Sequence, residues 1–149
     1  MTSGDFDSDS YFELVIGTPD KNTPPISIGP DLPSAGEVYI LSGSPLGLET
    51  PAQRGPYFGV TDFGRFGAAL AVGDFNGDSH PDLAIGAPLD SLNFAATSGA
   101  GFVLVVYGTS SGIPNNVVPA PPIVSQQWDQ AALGVECSWG WYWRLPRHV

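Results

Sequence analysis

Basic residues are scarce: Lys and Arg number 5 against 15 Asp and Glu, a formal net charge of −10 over 149 residues. A chain so poor in cations has no face with which to neutralise a phosphate backbone, so nucleic acid is excluded as a partner. A single cysteine, Cys137, excludes an internal disulfide. No apolar run approaches the ~20 residues a membrane-spanning helix needs, and no membrane insertion is expected. The N-terminal MTSGDFDSDS carries neither a basic nor an apolar stretch, so no signal peptide is read in it.

What the chain does have is acid in two places. GDFNGDSHPDLAIGAP, Gly73 to Pro88, is repeated in register by GDFDSDSYFELVIGTP, Gly4 to Pro19. Of the 15 acids, Asp5, Asp7, Asp9, Glu13, Asp74, Asp78 and Asp82 fall in these two stretches. Crowded carboxylates repel one another unless a cation sits among them, so the placement suggests a site rather than a solubilising coat.

The repeat continues beyond the acids. AGEVYILSGSPLGL (Ala35 to Leu48) and AGFVLVVYGTSSGI (Ala100 to Ile113) each follow a polar loop of differing length, as stacked repeats do. Glycine (19) and proline (15) punctuate short apolar runs, the pattern of turns between strands. One unit then reads as strand (Ala68–Val72), acidic loop, strand (Leu83–Ile85), long loop, strand (Phe102–Tyr107), turn and strand (about Ile123–Trp128). Four short antiparallel strands per unit describe a β-propeller blade, although another all-β sandwich fits the same pattern. Phe102–Tyr107 is apolar at every position and predicts a strand covered on both faces. The expected organisation is a partial blade lacking its first strand (1–60), a complete blade (61–130) and an atypical tail (131–149). Together these make an all-β, incomplete propeller of about two four-stranded antiparallel blades.

In the second loop Asp74, Asn76, Asp78 and Asp82 stand at the first, third, fifth and ninth positions, with the His80 carbonyl at the seventh. Ca²⁺ takes 6–8 oxygens, and alternate positions of a tightly curled loop can point several inward together. Asn76 adds an oxygen without a charge, and Gly77 permits a turn with φ > 0. The equivalents in the first loop are Asp5, Asp7, Asp9, the Tyr11 carbonyl and Glu13. An EF-hand would need a bidentate Glu at its twelfth position, where these loops have Ile85 and Ile16. Mg²⁺ prefers a stricter octahedron, and Zn²⁺ prefers His and Cys. Ser8 in place of Gly77, and Glu13 in place of Asp82, make the first loop the weaker expectation.

GRFGAALAVGDFNGDSHPDLAIGAP, Gly64 to Pro88, resembles an FG-GAP repeat, the blade unit of the integrin α-subunit propeller and of related surface proteins. Phe66-Gly67 matches the FG and Gly86-Ala87-Pro88 the GAP, with Gly17-Thr18-Pro19 as a variant in the first copy. The resemblance covers residues 4 to about 130. It implies calcium at Asp74, Asn76, Asp78, His80 and Asp82, an extracellular or cell-surface location, and adhesion through an unidentified protein or glycan ligand. Ser10 and Ser79 stand where the family usually has Gly, a departure expected to weaken both loops.

Catalysis has one candidate. Gly108-Thr109-Ser110-Ser111-Gly112 matches G-x-S-x-G, with Asp129 and His148 following in hydrolase order. That motif needs a helix after the serine, and Ile113-Pro114-Asn115-Asn116 does not start one. No enzyme is expected, the alternative being a propeller domain associated with a secreted hydrolase. The tail, CSWGWYWRLPRHV, has no counterpart in the repeat, and Trp139, Trp141 and Trp143 lie within it. With about two blades, apolar faces are expected to stay uncovered and to favour self-association.

Overall fold

The computed structural model describes residues 1–24, 29–49, 57–59, 62–90, 101–114 and 125–129, the last as backbone only. These residues form eight strands and, among them, no helix. The strands are β1 (Thr2–Gly4), β2 (Glu13–Thr18), β3 (Glu37–Leu41), β4 (Tyr57–Phe58), β5 (Ala69–Gly73), β6 (Asp82–Ala87), β7 (Phe102–Val106) and β8 (Ser125–Asp129). They pair in chain order into two antiparallel four-stranded sheets, β1–β4 and β5–β8. Repetition in the sequence is thus repetition in space: Val15 lies opposite Ile40 in one sheet, and Ala84 opposite Val105 in the other. The architecture is that of the expected propeller blades.

Two strand expectations needed adjustment. No strand was read ahead of the first acidic loop, yet Thr2–Gly4 pairs with Glu13–Val15. Three residues suffice because the pairing uses backbone groups alone, and Thr-Ser-Gly offers no hydrophobic alternation to announce it. β6 also runs longer than expected, from Asp82 itself to Ala87, so the last acid of the loop is already a strand residue.

Alternation decides which residues each sheet turns inward. In the first sheet Val15, Val38, Ile40 and Tyr57 are buried; in the second, Leu83, Ile85, Ala87, Leu104 and Val106 are. They share one core with Phe6, Phe66 and Ile113, so one face of each sheet packs against the other sheet. β7 is covered on that face only: Leu104 is 6% exposed and its neighbour Val103 41%, not the double cover its sequence suggests.

Phe66-Gly67 joins the sheets. The Phe66 N–H donates to the Ala35 carbonyl beside β3 (2.9 Å), and the Gly67 N–H donates to the Gly86 carbonyl of β6 (3.0 Å). The backbone of Gly67 lies directly on Gly17, where a Cβ would collide with the Gly67 carbonyl oxygen. That close approach is the physical reason for the first Gly of Gly17-Thr18-Pro19. The ring of Phe66 sits 6.2 Å from that of Phe102 and anchors the crossing in the core.

Candidate metal centre

Each acidic loop links the first two strands of its sheet, and both curl around one hydrogen-bond scheme. In the first, Asp5 accepts from the Asp9 and Ser10 N–H groups (both 3.1 Å), and Asp9 accepts from Tyr11 N–H (2.8 Å). In the second, Asp74 accepts from Gly77 (2.7 Å), Asp78 (3.1 Å) and Ser79 (2.9 Å), while Asp78 accepts from His80 N–H (2.8 Å). Short polar side chains folding back onto nearby N–H groups are what make such a loop curl without a helix or sheet ladder. Two residues in each loop adopt the left-handed region: Ser8 (φ 61°) and Ser10 (75°), Gly77 (77°) and Ser79 (70°). Three of these four are serines carrying a strain that glycine would not.

The ninth-position acids behave differently from the rest. Glu13 and Asp82 are fully buried. Each carboxylate bridges its own loop to the end of the third strand. Asp82 accepts from Phe75 N–H (2.7 Å) and Gly108 N–H (2.9 Å). Glu13 accepts from Phe6 N–H (2.8 Å) and, at 3.5 Å, from Gly43 N–H. The residues that matter here beyond the acids are Gly43 and Gly108. Their signal in the sequence is the Gly-Ser and Gly-Thr that close the third strand in both units, whose backbone N–H groups no side-chain motif would flag.

The carboxylates that converge are those of the first loop. Ligand oxygens of Asp5, Asp7 and Glu13 lie within 4.8 Å of one another, the one such acid group among the described residues. Oxygens bound to one Ca²⁺ at ~2.3–2.6 Å can be no farther apart than about twice that distance, so the spacing fits a shared hard cation. Asp9 and Tyr11 are exposed beside it. Asp74, Asp78 and Asp82 form no comparable group; the Asn76 amide nitrogen donates to the Asp78 carboxylate (3.0 Å), and its oxygen accepts from the Asp78 N–H (3.0 Å). His80 is half-buried at the seventh position.

Electrostatics follow from this packing. Burial raises the Glu13 carboxyl above its usual range, the Phe6 N–H works against that, and the Asp7 charge adds to it. Asp78 is held below its usual range, first by the His80 N–H and then by the Asn76 amide.

The G-x-S-x-G stretch is the turn of the repeat. Thr109 and Gly112 exchange backbone hydrogen bonds (3.2 and 2.8 Å), and the Thr109 hydroxyl donates to the Gly112 carbonyl (2.9 Å). In the first unit the Ser44 hydroxyl donates to the Gly47 carbonyl in the same way (2.8 Å). Ser110 lies exposed in this turn, with no helix among the described residues that follow. His148 and the tail lie outside the described residues, as does the Asp129 side chain.

Comparison with known proteins agrees with this construction. The FG-GAP repeat matches residues 66–106. Phosphatidylinositol-glycan-specific phospholipase D of Mus musculus is 40% identical over 116 residues, covering 75% of this chain and 13% of that protein. Its Homo sapiens counterpart is 39% identical over 120 residues, with the same two shares of 75% and 13%. Integrin alpha-PS2 of Drosophila melanogaster is 32% identical over 129 residues, covering 83% of this chain and 9% of that protein. The chain spans about an eighth of the length of the phospholipases it matches.

Proposed function

Because the chain is an FG-GAP repeat protein, we propose that its two acidic loops hold Ca²⁺ and that the blades they brace serve recognition of a protein or glycan at the cell surface or outside the cell. The observation that carries this reading is the convergence of Asp5, Asp7 and Glu13 in a loop whose hydrogen-bond scheme recurs in the second unit. The first loop would hold the ion with Asp5, Asp7, Asp9, Glu13 and the Tyr11 carbonyl. The second would use Asp74, Asn76, Asp78, Asp82 and the His80 carbonyl. Bound calcium supplies charge neutralisation, not chemistry: it relieves carboxylate repulsion and fastens the hairpin that carries the second strand.

Two features favour a binding module over an enzyme. Ser110 sits in a turn that the first unit duplicates with Pro45 in its place, Ser44 bonding as Thr109 does. The two buried acids, Glu13 and Asp82, are engaged with backbone N–H groups. A second reading rests on the 40% identity to a phospholipase over 13% of its length: the blades would then be an accessory module beside a hydrolase domain. Both readings share the calcium.

The test is a thermal melt of the full chain in EGTA and with added Ca²⁺. With free Ca²⁺ at ten times Kd, one site stabilises by about 1.4 kcal/mol, so a rise of several degrees is expected. Identical melting in chelator and in calcium would overturn the assignment.

A further inference from the structure

The packing between the two sheets is unsymmetrical. The first sheet contributes the face of Val15, Gly17, Val38 and Ile40, and the second contributes the face of Leu83, Ile85, Leu104 and Val106. The two units share one register, so each sheet carries on its outer face the half of that interface which the other sheet buries. On the second sheet Ala84, Gly86, Val103 and Val105 repeat Val15, Gly17, Val38 and Ile40. On the first sheet Leu14, Ile16, Tyr39 and Leu41 repeat Leu83, Ile85, Leu104 and Val106.

What differs between the equivalent faces is cover. Val38 is fully buried, but Val103 is 41% exposed. Leu83, Ile85 and Val106 are fully buried, whereas Leu14, Ile16 and Leu41 are half-buried. A Cβ on Gly17 would strike the Gly67 carbonyl oxygen, while one on Gly86 would meet only Ala69 of its own sheet among the described residues. Ala69 and Ala71 extend this outer face of the second sheet, and both are exposed.

The two outer faces are complementary in shape as well as in register. A strip of Ala and Gly on one leaves room for the larger Leu, Ile and Tyr side chains of the other. The polar residues of the first sheet's outer face stand at one end of it, where Thr18 pairs with Glu37. Glu37 is only 2% exposed and is already neutralised by Lys21 (2.7 Å), so an incoming surface has little charge left to desolvate there.

We propose that copies of this chain associate head to tail, the outer face of the second sheet seating on the outer face of the next copy's first sheet. The packing within one chain is thereby continued between chains. Such a contact is heterologous and ends only when a ring closes. Propellers close at about 4–8 blades, so with two sheets per chain a ring takes about two to four copies.

Sedimentation of the full chain across a wide concentration range tests this, with whole multiples of 15.6 kDa expected in place of the monomer. Val103→Lys and Ile16→Lys each block one face, and each alone should give monomers. Mixed, the two variants retain one intact pair of faces and should form a dimer and nothing larger. Ala71→Lys, at an exposed position of the same face, repeats the Val103→Lys block independently. A parent that stays monomeric at every concentration would overturn the proposal, its faces then being covered within one chain or by a different protein. Assembly that is lost with Val103→Lys but untouched by Ile16→Lys would overturn it in favour of like faces meeting. A mixture that stays monomeric would also sink it.

Discussion

The two acidic loops share one hydrogen-bond scheme but distribute it differently. In the second loop the buried acid is held by two short bonds, from Phe75 (2.7 Å) and Gly108 (2.9 Å). In the first loop Glu13 makes one such bond to Phe6 (2.8 Å) and a stretched one to Gly43 (3.5 Å). Its longer side chain brings the carboxylate up to Asp5 and Asp7. A ninth-position acid thus fastens the loop to the third strand and, under the proposed function, would also face the cation. Asp82 leans toward the first and Glu13 toward the second.

The largest effect should come from deleting the fastener. Asp82→Ala leaves the Phe75 N–H and the buried Gly108 N–H without their acceptor and is expected to destabilise the chelated protein by about 2–4 kcal/mol, given ~1.5–3 kcal/mol for a hydrogen bond to a charged group. Glu13→Ala should cost less, since only one of its bonds is short. Urea unfolding in EGTA measures both, and equal or reversed losses would break the comparison.

Calcium should reverse the ranking. Asp5→Asn with Asp7→Asn removes two of the three converging acids. That pair is expected to abolish more of the calcium-induced rise in Tm than Asp74→Asn with Asp78→Asn, by about 1 kcal/mol at ten times Kd. A larger loss from the second pair would mean that calcium draws the second loop into a tighter site than it forms by itself.

That reversal marks how far the sequence could be read. The repeat and the strand order were legible, because each leaves a side-chain pattern: alternation, and glycines at matching positions of the two units. β1 was not, since Thr2–Gly4 joins the sheet through its backbone alone. Nor was the convergence of Asp5, Asp7 and Glu13 in the first loop. Motif reading ranks Gly77 above Ser8 and Asp82 above Glu13, but convergence depends on side-chain reach and on which oxygens the backbone has already engaged. Gly43 and Gly108 were invisible for the same reason: what they contribute is an N–H.

Backbone strain gives a smaller and cleaner difference. Ser10 and Ser79 hold φ of 75° and 70°, and Ser8 holds 61° where the second loop has Gly77. An L-residue in that region costs about 1–2 kcal/mol, partly offset by the extra freedom glycine has when unfolded, so each Ser→Gly change should stabilise by about 0.5–1 kcal/mol. The first loop has two such serines and the second has one. Ser8→Gly with Ser10→Gly should thus raise Tm about twice as far as Ser79→Gly. A fall in Tm from any of these changes would mean that the serine hydroxyls contribute more than the strain they impose.

The smallest effect is a matter of sign. Burial raises the Glu13 carboxyl above its value of 4.5 in an unfolded chain, so the folded, metal-free protein holds that proton more tightly. Such a group contributes stability that is fully present below 4.5 and is lost as pH rises through the folded value. Asp78 has the opposite sign. Its carboxyl is lowered from 3.8, and its contribution is lost as pH falls through the folded value; being fully exposed, it matters little. In EGTA the stability attributable to Glu13 should therefore decline from pH 4.5 toward neutrality, and Glu13→Gln, which keeps an acceptor for the Phe6 N–H, should flatten that decline. Saturating calcium should flatten it in the wild type too, because a bound cation favours the ionised form, and calcium affinity should rise over the same interval. If Glu13→Gln keeps the wild-type slope in EGTA, the pH dependence arises outside the first loop, and burial of this acid is not what distinguishes it from the second.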